Sequence, residues 1–232
     1  MKTLSSKLSI WLFFITLFAA CGDNSTNSEA DELKGRDTQT PVVTVTNQET
    51  GRTWMDRNLG ASRVAISSSD KEAYGDLYQW GRLSDGHQDR SSNTTNTLSS
   101  KNVPGHGDFI ISAEDPSDWR NPQNNDLWQG NENINNPCPI GFRIPTKEEW
   151  EAERESWGRK DVDGAFSSKL RLPAVDFRLA RDGSLSLPDY VIYWSSSVNE
   201  DRSHILLVFG NSSGIGTALR ASGIPVRCIQ EI

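Results

Sequence analysis

The sequence predicts an α+β protein, with two helices and small antiparallel sheets around one long irregular loop. Three observations carry that expectation. At Pro145 a strand-like run gives way to a helix start written as T-x-x-E, Thr146 to Glu149. Past that helix, three apolar runs at 190–197, 203–210 and 224–229 have strand length and no helical period. Hydrophobic content of 35% with eight tryptophans and 18 glycines fits a loop-rich globular chain and not a disordered one.

The N-terminus reads as an export signal. Lys2 and Lys7 supply a basic start and residues 8–20 an apolar run, the right length for a signal peptide and short for a membrane span. It ends L-F-A-A-C, and Ala19 and Ala20 before Cys21 resemble a bacterial lipobox. Phe18 stands where a small aliphatic residue is usual. On that resemblance residues 1–20 are a lipoprotein signal peptide, Cys21 is acylated on its thiol, and the protein's first partner is outer-membrane lipid. Several acyl chains hold stably where one holds only marginally. Residues 21–40 are polar and acidic with almost no large apolar side chain, which predicts a disordered tether. Acidic residues just past the cysteine resemble surface-export signals of some Gram-negative lipoproteins. An outer-membrane lipoprotein, exposed at the cell surface, is the expected location.

Residues 41–232 form the folded domain. Val43 and Val45 alternate with threonines, 47–51 is a turn and 53–59 carries Trp54 and Leu59, so two paired strands are expected. Between residues 69 and 83, Ala73, Leu77, Trp80 and Leu83 fall at helical spacing and predict the first helix, with Gly75 inside it. Residues 84–137 are dense in Asn, Asp, Ser and Gly, yet hold the islands 109–111, Trp119 and Trp128. They read as a long ordered loop pinned by those islands. Trp119 and Trp128 either stack on sugar rings or plug the loop onto the body, and binding residues collect on such loops.

The second helix follows Pro145, which forces Ile144 toward extended geometry. Thr146 caps it through the Glu149 N–H while the Glu149 carboxylate reaches back, on the order of 1 kcal/mol. Trp150 and Trp157 share the inward face. Residues 170–177 read as a strand broken at Pro173, and Arg181-Asp182-Gly183-Ser184 as a hairpin turn.

Several chemistries find no support. Formal charge is −7, and loss of the leader lysines Lys2 and Lys7 takes the mature chain to −9, a poor nucleic-acid binder. His87, His106 and His204 are too scattered for a helical ligand pair, so no metal or other cofactor is expected. Asp161-x-Asp163-Gly164 is the tail of a calcium-loop pattern without its other ligands, and reads as a polar turn. Ser195, Ser196 and Ser197 lack a G-x-S-x-G elbow. No enzyme is expected.

Five blocks in order carry a resemblance: T-W-M-D-R-N-L-G-A at 53–61, A-Y-G-D-L-Y-Q-W-G-R at 73–82, N-P-C-P-I-G-F-R-I-P-T at 136–146, Y-W-S-S-S at 193–197 and P-V-R-C at 225–228. Together they resemble the Fibrobacter succinogenes major paralogous domain family, and G-F-R-I-P-T-K-E-E-W-E alone is similar to formylglycine-generating-enzyme-like domains. The resemblance implies a C-type-lectin-like fold on a bacterial lipoprotein with no established activity. The sugar-binding triplets of calcium-dependent lectins are absent. With Cys21 lipidated, Cys138 and Cys228 remain as an even pair in an oxidising compartment, which predicts one disulfide; the resemblance likewise implies a bridge from the final strand to the domain body. The expected function is a non-catalytic adhesion module recognising a glycan or protein through the 84–137 loop. The alternative is a structural or assembly component of the envelope without a soluble ligand.

Overall fold

The structure, a computed structural model, describes residues 34–129 and 134–232. The leader and the expected lipid attachment at Cys21 lie outside the described residues, as does most of the tether.

The predicted N-terminal hairpin forms, β1 (Thr44–Asn47) against β2 (Arg52–Met55), with Thr44 opposite Met55 and Asn47 opposite Arg52. Gly51, at φ 68°, closes its turn by donating to the Asn47 carbonyl at 2.8 Å. Two distant strands complete this sheet, β6 (Phe142–Arg143) and β11 (Ile229–Gln230), in the order β1-β2-β11-β6. The last strand therefore lies between the first hairpin and the strand leading into the central helix. Cys138 and Cys228 meet there as a disulfide with Cα atoms 6.0 Å apart.

A second antiparallel sheet is made of β7 (Val191–Asn199), β8 (Arg202–Phe209) and β9 (Ser212–Ala218). Helix α1 (Lys147–Glu155) packs against its face. The capping box is present: Thr146 Oγ1 accepts from the Glu149 N–H at 3.3 Å, and Glu149 Oε2 accepts from the Thr146 N–H at 2.9 Å. Glu149 also receives Arg52 at 2.6 Å and Arg143 at 2.7 Å, so one carboxylate joins the cap, β2 and β6. The inward stripe is as expected. Trp150 is fully buried, donates Nε1 to the Trp194 carbonyl at 2.9 Å and packs 4.8 Å from the Trp54 ring.

The first predicted helix does not form. Residues 71–73 make one 3-10 turn and Tyr78–Gln79 is strand β3. Gly75 at φ 71° and Gly81 at φ 83° bend the chain, and a Cβ on Gly75 would stand 2.2 Å from the Leu59 carbonyl. Its N–H groups serve tertiary partners instead: Asp76 donates to Leu59, Leu77 to Gln88 and Gln79 to His87 Nε2. The helical spacing of its apolar residues was produced by a buried irregular segment. The second helix is instead α2 (Val162–Ser167), capped by Asp161, whose Oδ1 accepts from the Gly164 N–H at 2.9 Å. The run read as a polar turn with calcium-loop spacing is thus a helix N-terminus.

Two more strand expectations change. Residues 224–229 divide, because Gly223–Ile224 (β10) pairs with β3 while β11 joins the first sheet. Between them Pro225 has no N–H, and the Val226 and Cys228 carbonyls accept from Leu59 and Met55. Residues 170–177 contribute only the bridge Val175 to Tyr190. The hairpin turn at 181–184 holds, with Arg178 bridged to Leu185. Strand β9 was not foreseen at all, since S-S-G-I-G-T-A lacks an apolar alternation.

The domain also begins earlier than expected. Residues 34–40, assigned to the tether, are held by Asp37 N–H to Pro137 O at 2.7 Å, Ser84 N–H to Gly35 O at 2.8 Å and Arg36 to Cys138 O at 2.8 Å. Asp37 and Thr40 are buried.

Candidate binding cleft

The long loop is ordered by its apolar islands. Phe109 and Ile110 (β5, Phe109–Ile110) are fully buried beside β4 (Thr94–Thr95), in parallel pairing. Of the two readings open for Trp119 and Trp128, the structure gives the plug. Trp119 is 0% and Trp128 1% exposed. Trp119 donates Nε1 to Trp80 O at 2.7 Å, and Trp128 donates to Asn135 O at 2.8 Å with its ring 5.6 Å from that of Trp80. Neither ring has a face open to a sugar. Stacking on a ligand requires an exposed aromatic, and burial of the indoles is what fastens this stretch to the core.

The strongest candidate lies elsewhere, where the β1–β2 turn faces the chain from the end of α1 through α2. A cleft of ≈ 400 Å³ opens there, with Asn47, Gln48 and Glu49 on one wall and Ser156, Trp157, Gly158, Arg159, Asp163, Gly164, Ser167, Ser168 and Lys169 on the other. A second hollow of ≈ 520 Å³ shares Glu49 and Ser156 and runs along α1 past Glu148, Ala152 and Glu155.

Its base is fixed by a buried network. Asn47 donates Nδ2 to Glu153 Oε2 at 2.7 Å and to Ser156 Oγ at 2.8 Å, while Trp157 Nε1 reaches Glu153 Oε1 at 3.2 Å. Burial pushes the Glu153 carboxyl above its ordinary range, and the hydrogen bonds from Asn47 and Trp157 oppose that. Lys160 places its ammonium on three carbonyls at the end of α1, those of Arg154, Glu155 and Trp157, where the helix dipole favours a cation. Gly164 allows α2 to approach, since a Cβ would stand 1.9 Å from the Arg159 carbonyl.

Around the rim, Arg159 is paired with Asp161 at 2.6 Å and Asp163 at 3.1 Å. The side chains of Glu49 and Lys169 have no hydrogen-bond or ion-pair partner among the described residues. Two carboxylates, an ammonium, a guanidinium, two amides and several hydroxyls thus border a recess beside a tryptophan edge. Such a lining suits an uncharged polyhydroxylated ligand or a zwitterionic one. Ser156 Oγ already donates to Glu153 O at 2.6 Å, so it is no poised nucleophile.

A histidine–carboxylate pair does exist, at His87 and Asp85, but it is closed. His87 is fully buried, and its Nε2 accepts from the Gln79 N–H at 3.0 Å. The proton therefore sits on Nδ1, which donates to Asp85 Oδ1 at 2.6 Å. Burial, with Arg82 nearby, lowers His87 to about 4. Burial resists ionisation of Asp85, yet the His87 hydrogen bond and Arg82 outweigh it and hold the carboxyl at about 2. A ring whose lone pair is held by backbone cannot take a substrate proton.

Among the described residues no group of three His, Cys, Asp or Glu side chains is arranged to hold a metal ion, and no helix is long and apolar enough to cross a membrane. Compared with known proteins, the chain matches no family model, no curated protein and no solved structure.

Proposed function

We propose that this chain is a non-catalytic binding module, tethered to the bacterial envelope by acylated Cys21, which holds a polar ligand of carbohydrate class in the cleft between the β1–β2 turn and α2. One observation carries the reading: Glu49 and Lys169, without a side-chain partner among the described residues, stand at the rim of a recess whose amide and hydroxyl groups are held by a buried base. Elsewhere the buried His87 and Arg82 and the half-buried Asp85 bond to one another, to backbone and to the Gln79 side chain. The five blocks that resemble the Fibrobacter succinogenes family support a lectin-like scaffold on an exported lipoprotein. With Trp119 and Trp128 buried, the cleft offers the ligand a surface that the 84–137 loop does not.

The test is a glycan array probed with the exported chain released by Cys21→Ser. A hit should weaken about tenfold in Lys169→Ala or Glu49→Ala, one lost hydrogen bond to a charged group. Binding indifferent to both substitutions refutes the cleft, and an array without signal refutes the carbohydrate class. For the anchor, cells are grown with a radiolabelled fatty acid. Label in the wild-type chain and none in Cys21→Ser is expected, and an unlabelled wild-type chain overturns the lipid attachment.

A further inference from the structure

The three-stranded sheet ends in an open edge. β9 is last in the order β7-β8-β9, and none of its seven residues is buried. Among the described residues its backbone forms no backbone hydrogen bond beyond β8. Gly210, at φ 57°, and Asn211 form the two-residue turn between Phe209 and Ser212. In such a hairpin the closing pair exchanges both hydrogen bonds, and bonded pairs then alternate. Ser213, Ile215 and Thr217 consequently turn their N–H and C=O groups away from β8, into solvent.

Monomeric proteins blunt an edge of this length with lysine, proline, a bulge or a covering segment. S-S-G-I-G-T-A has no charge and no proline, and β9 pairs with β8 without interruption from Ser212 to Ala218. It is also nearly symmetric about its centre. Gly214 and Gly216 flank Ile215, Ser213 mirrors Thr217 and Ser212 mirrors Ala218. An antiparallel pair of identical strands is two-fold symmetric, so each residue meets its mirror position on the second copy.

We propose that β9 is a self-association edge, through which two copies of this chain pair antiparallel about Ile215 into one sheet continuous across both. In that register Ile215 faces Ile215 of the second copy in a hydrogen-bonded pair, the outward groups of Ser213 meet those of Thr217, and glycine lies opposite glycine. Within the two strands no charge meets a charge and the glycines leave room to approach, while Arg154 of α1 lies beside Ser213, donating to its Oγ at 3.4 Å. Ile215 is half-buried against the core beneath α1, which fixes the strand before the partner arrives.

Register-specific cross-linking of the full chain in the cells that express it tests this, with wild type and its native cysteines as background. Bonded antiparallel partners stand about 5.5 Å apart at Cα, within disulfide reach. Ile215→Cys should give a covalent dimer by itself on mild oxidation. Ser213→Cys and Thr217→Cys should do so only when co-expressed with each other. Adding Thr217→Lys to Ile215→Cys should abolish the dimer. Cross-linking at all three positions alike, or none at Ile215→Cys, overturns the register. Sedimentation of the unmutated chain in detergent guards against a misfolded variant: a dimer is expected, and a monomer at every concentration refutes the proposal, as does an edge occupied by another protein's strand.

Discussion

Arg227 and Asn58 meet in the core, with the guanidinium donating Nε and Nη2 to the same amide oxygen, Asn58 Oδ1, at 3.0 and 2.8 Å. The remaining guanidinium nitrogen reaches the Leu170 and Met55 carbonyls at 2.9 and 3.3 Å. Arg227 is 2% exposed and among the described residues no carboxylate bonds to it; burial lowers its pKa. Asn58 in turn donates to the Ala73 and Tyr74 carbonyls at 3.1 and 3.0 Å, which anchors the irregular segment misread as a helix. A buried cation held only by dipoles is costly once one is removed. Asn58→Ala should destabilise the fold by about 3 kcal/mol, as chemical denaturation would show. A loss under about 1 kcal/mol would mean that the Asn58 amide is not what holds the guanidinium.

The Cys138–Cys228 bridge closes a loop of 90 residues. Chain entropy assigns it roughly 4 kcal/mol. Reduction, or Cys138→Ala with Cys228→Ala, should lower Tm by roughly 10 °C in calorimetry. An unchanged Tm would show that the neighbouring β2-β11-β6 pairing already holds the chain ends.

His87 gives the fold an acid limit. Its folded pKa of about 4 lies below the ordinary 6.5, because burial and Arg82 disfavour the charged ring. Between those values the unfolded chain binds the extra proton. Stability is therefore complete above about pH 6.5 and lost as pH falls toward 4, up to ~3 kcal/mol. Melting curves from pH 7.5 to 4 should show that slope in wild type and a flatter one in His87→Gln, whose amide oxygen can still accept from Gln79.

Asp76 acts in the opposite direction. Burial, then the nearby charges of Asp37 and Asp89, raise it from 3.8 to about 7. Here the folded chain holds the proton longer, so the contribution is present below about pH 3.8 and lost as pH rises through 7. Asp76→Asn should melt several degrees higher than wild type at pH 8 and equally at pH 4. A Tm gap that does not change with pH would exclude this origin.

Features governed by near neighbours in the chain were legible: the Thr146–Glu149 box, the turns at 47–51 and 181–184, and the long strands β7 and β8. The cysteine pair followed from parity once Cys21 was set aside, and the structure contains that bridge. Misreadings arose where a local signal was shared by two structures. Ala73, Leu77 and Trp80 repeat at helical spacing, yet Gly75 and Gly81 take positive φ and the amides bond to Gln88 and His87. Trp119 and Trp128 look alike in sequence whether they plug a loop or offer a platform, and burial alone separates the two. Of the cleft, the Asp161-x-Asp163-Gly164 run, expected to be a polar turn, is the N-terminus of α2. The cleft's Glu49 and Lys169 are 120 residues apart and were not distinguishable from any other surface charge.

By itself, then, the sequence determined the mixed class, the start of the central helix, its buried tryptophan stripe and the cysteines left to pair, because each depends on spacing within a few residues or on parity. Tertiary structure alone decided that β11 enters between β2 and β6, that Arg227 is held by Asn58, and that β9 forms with its outer edge bare. The first two depend on partners tens to hundreds of residues away, and contacts over that range leave no period in the chain; β9 pairs with β8 close by, but whether anything covers its far side is set by the whole fold.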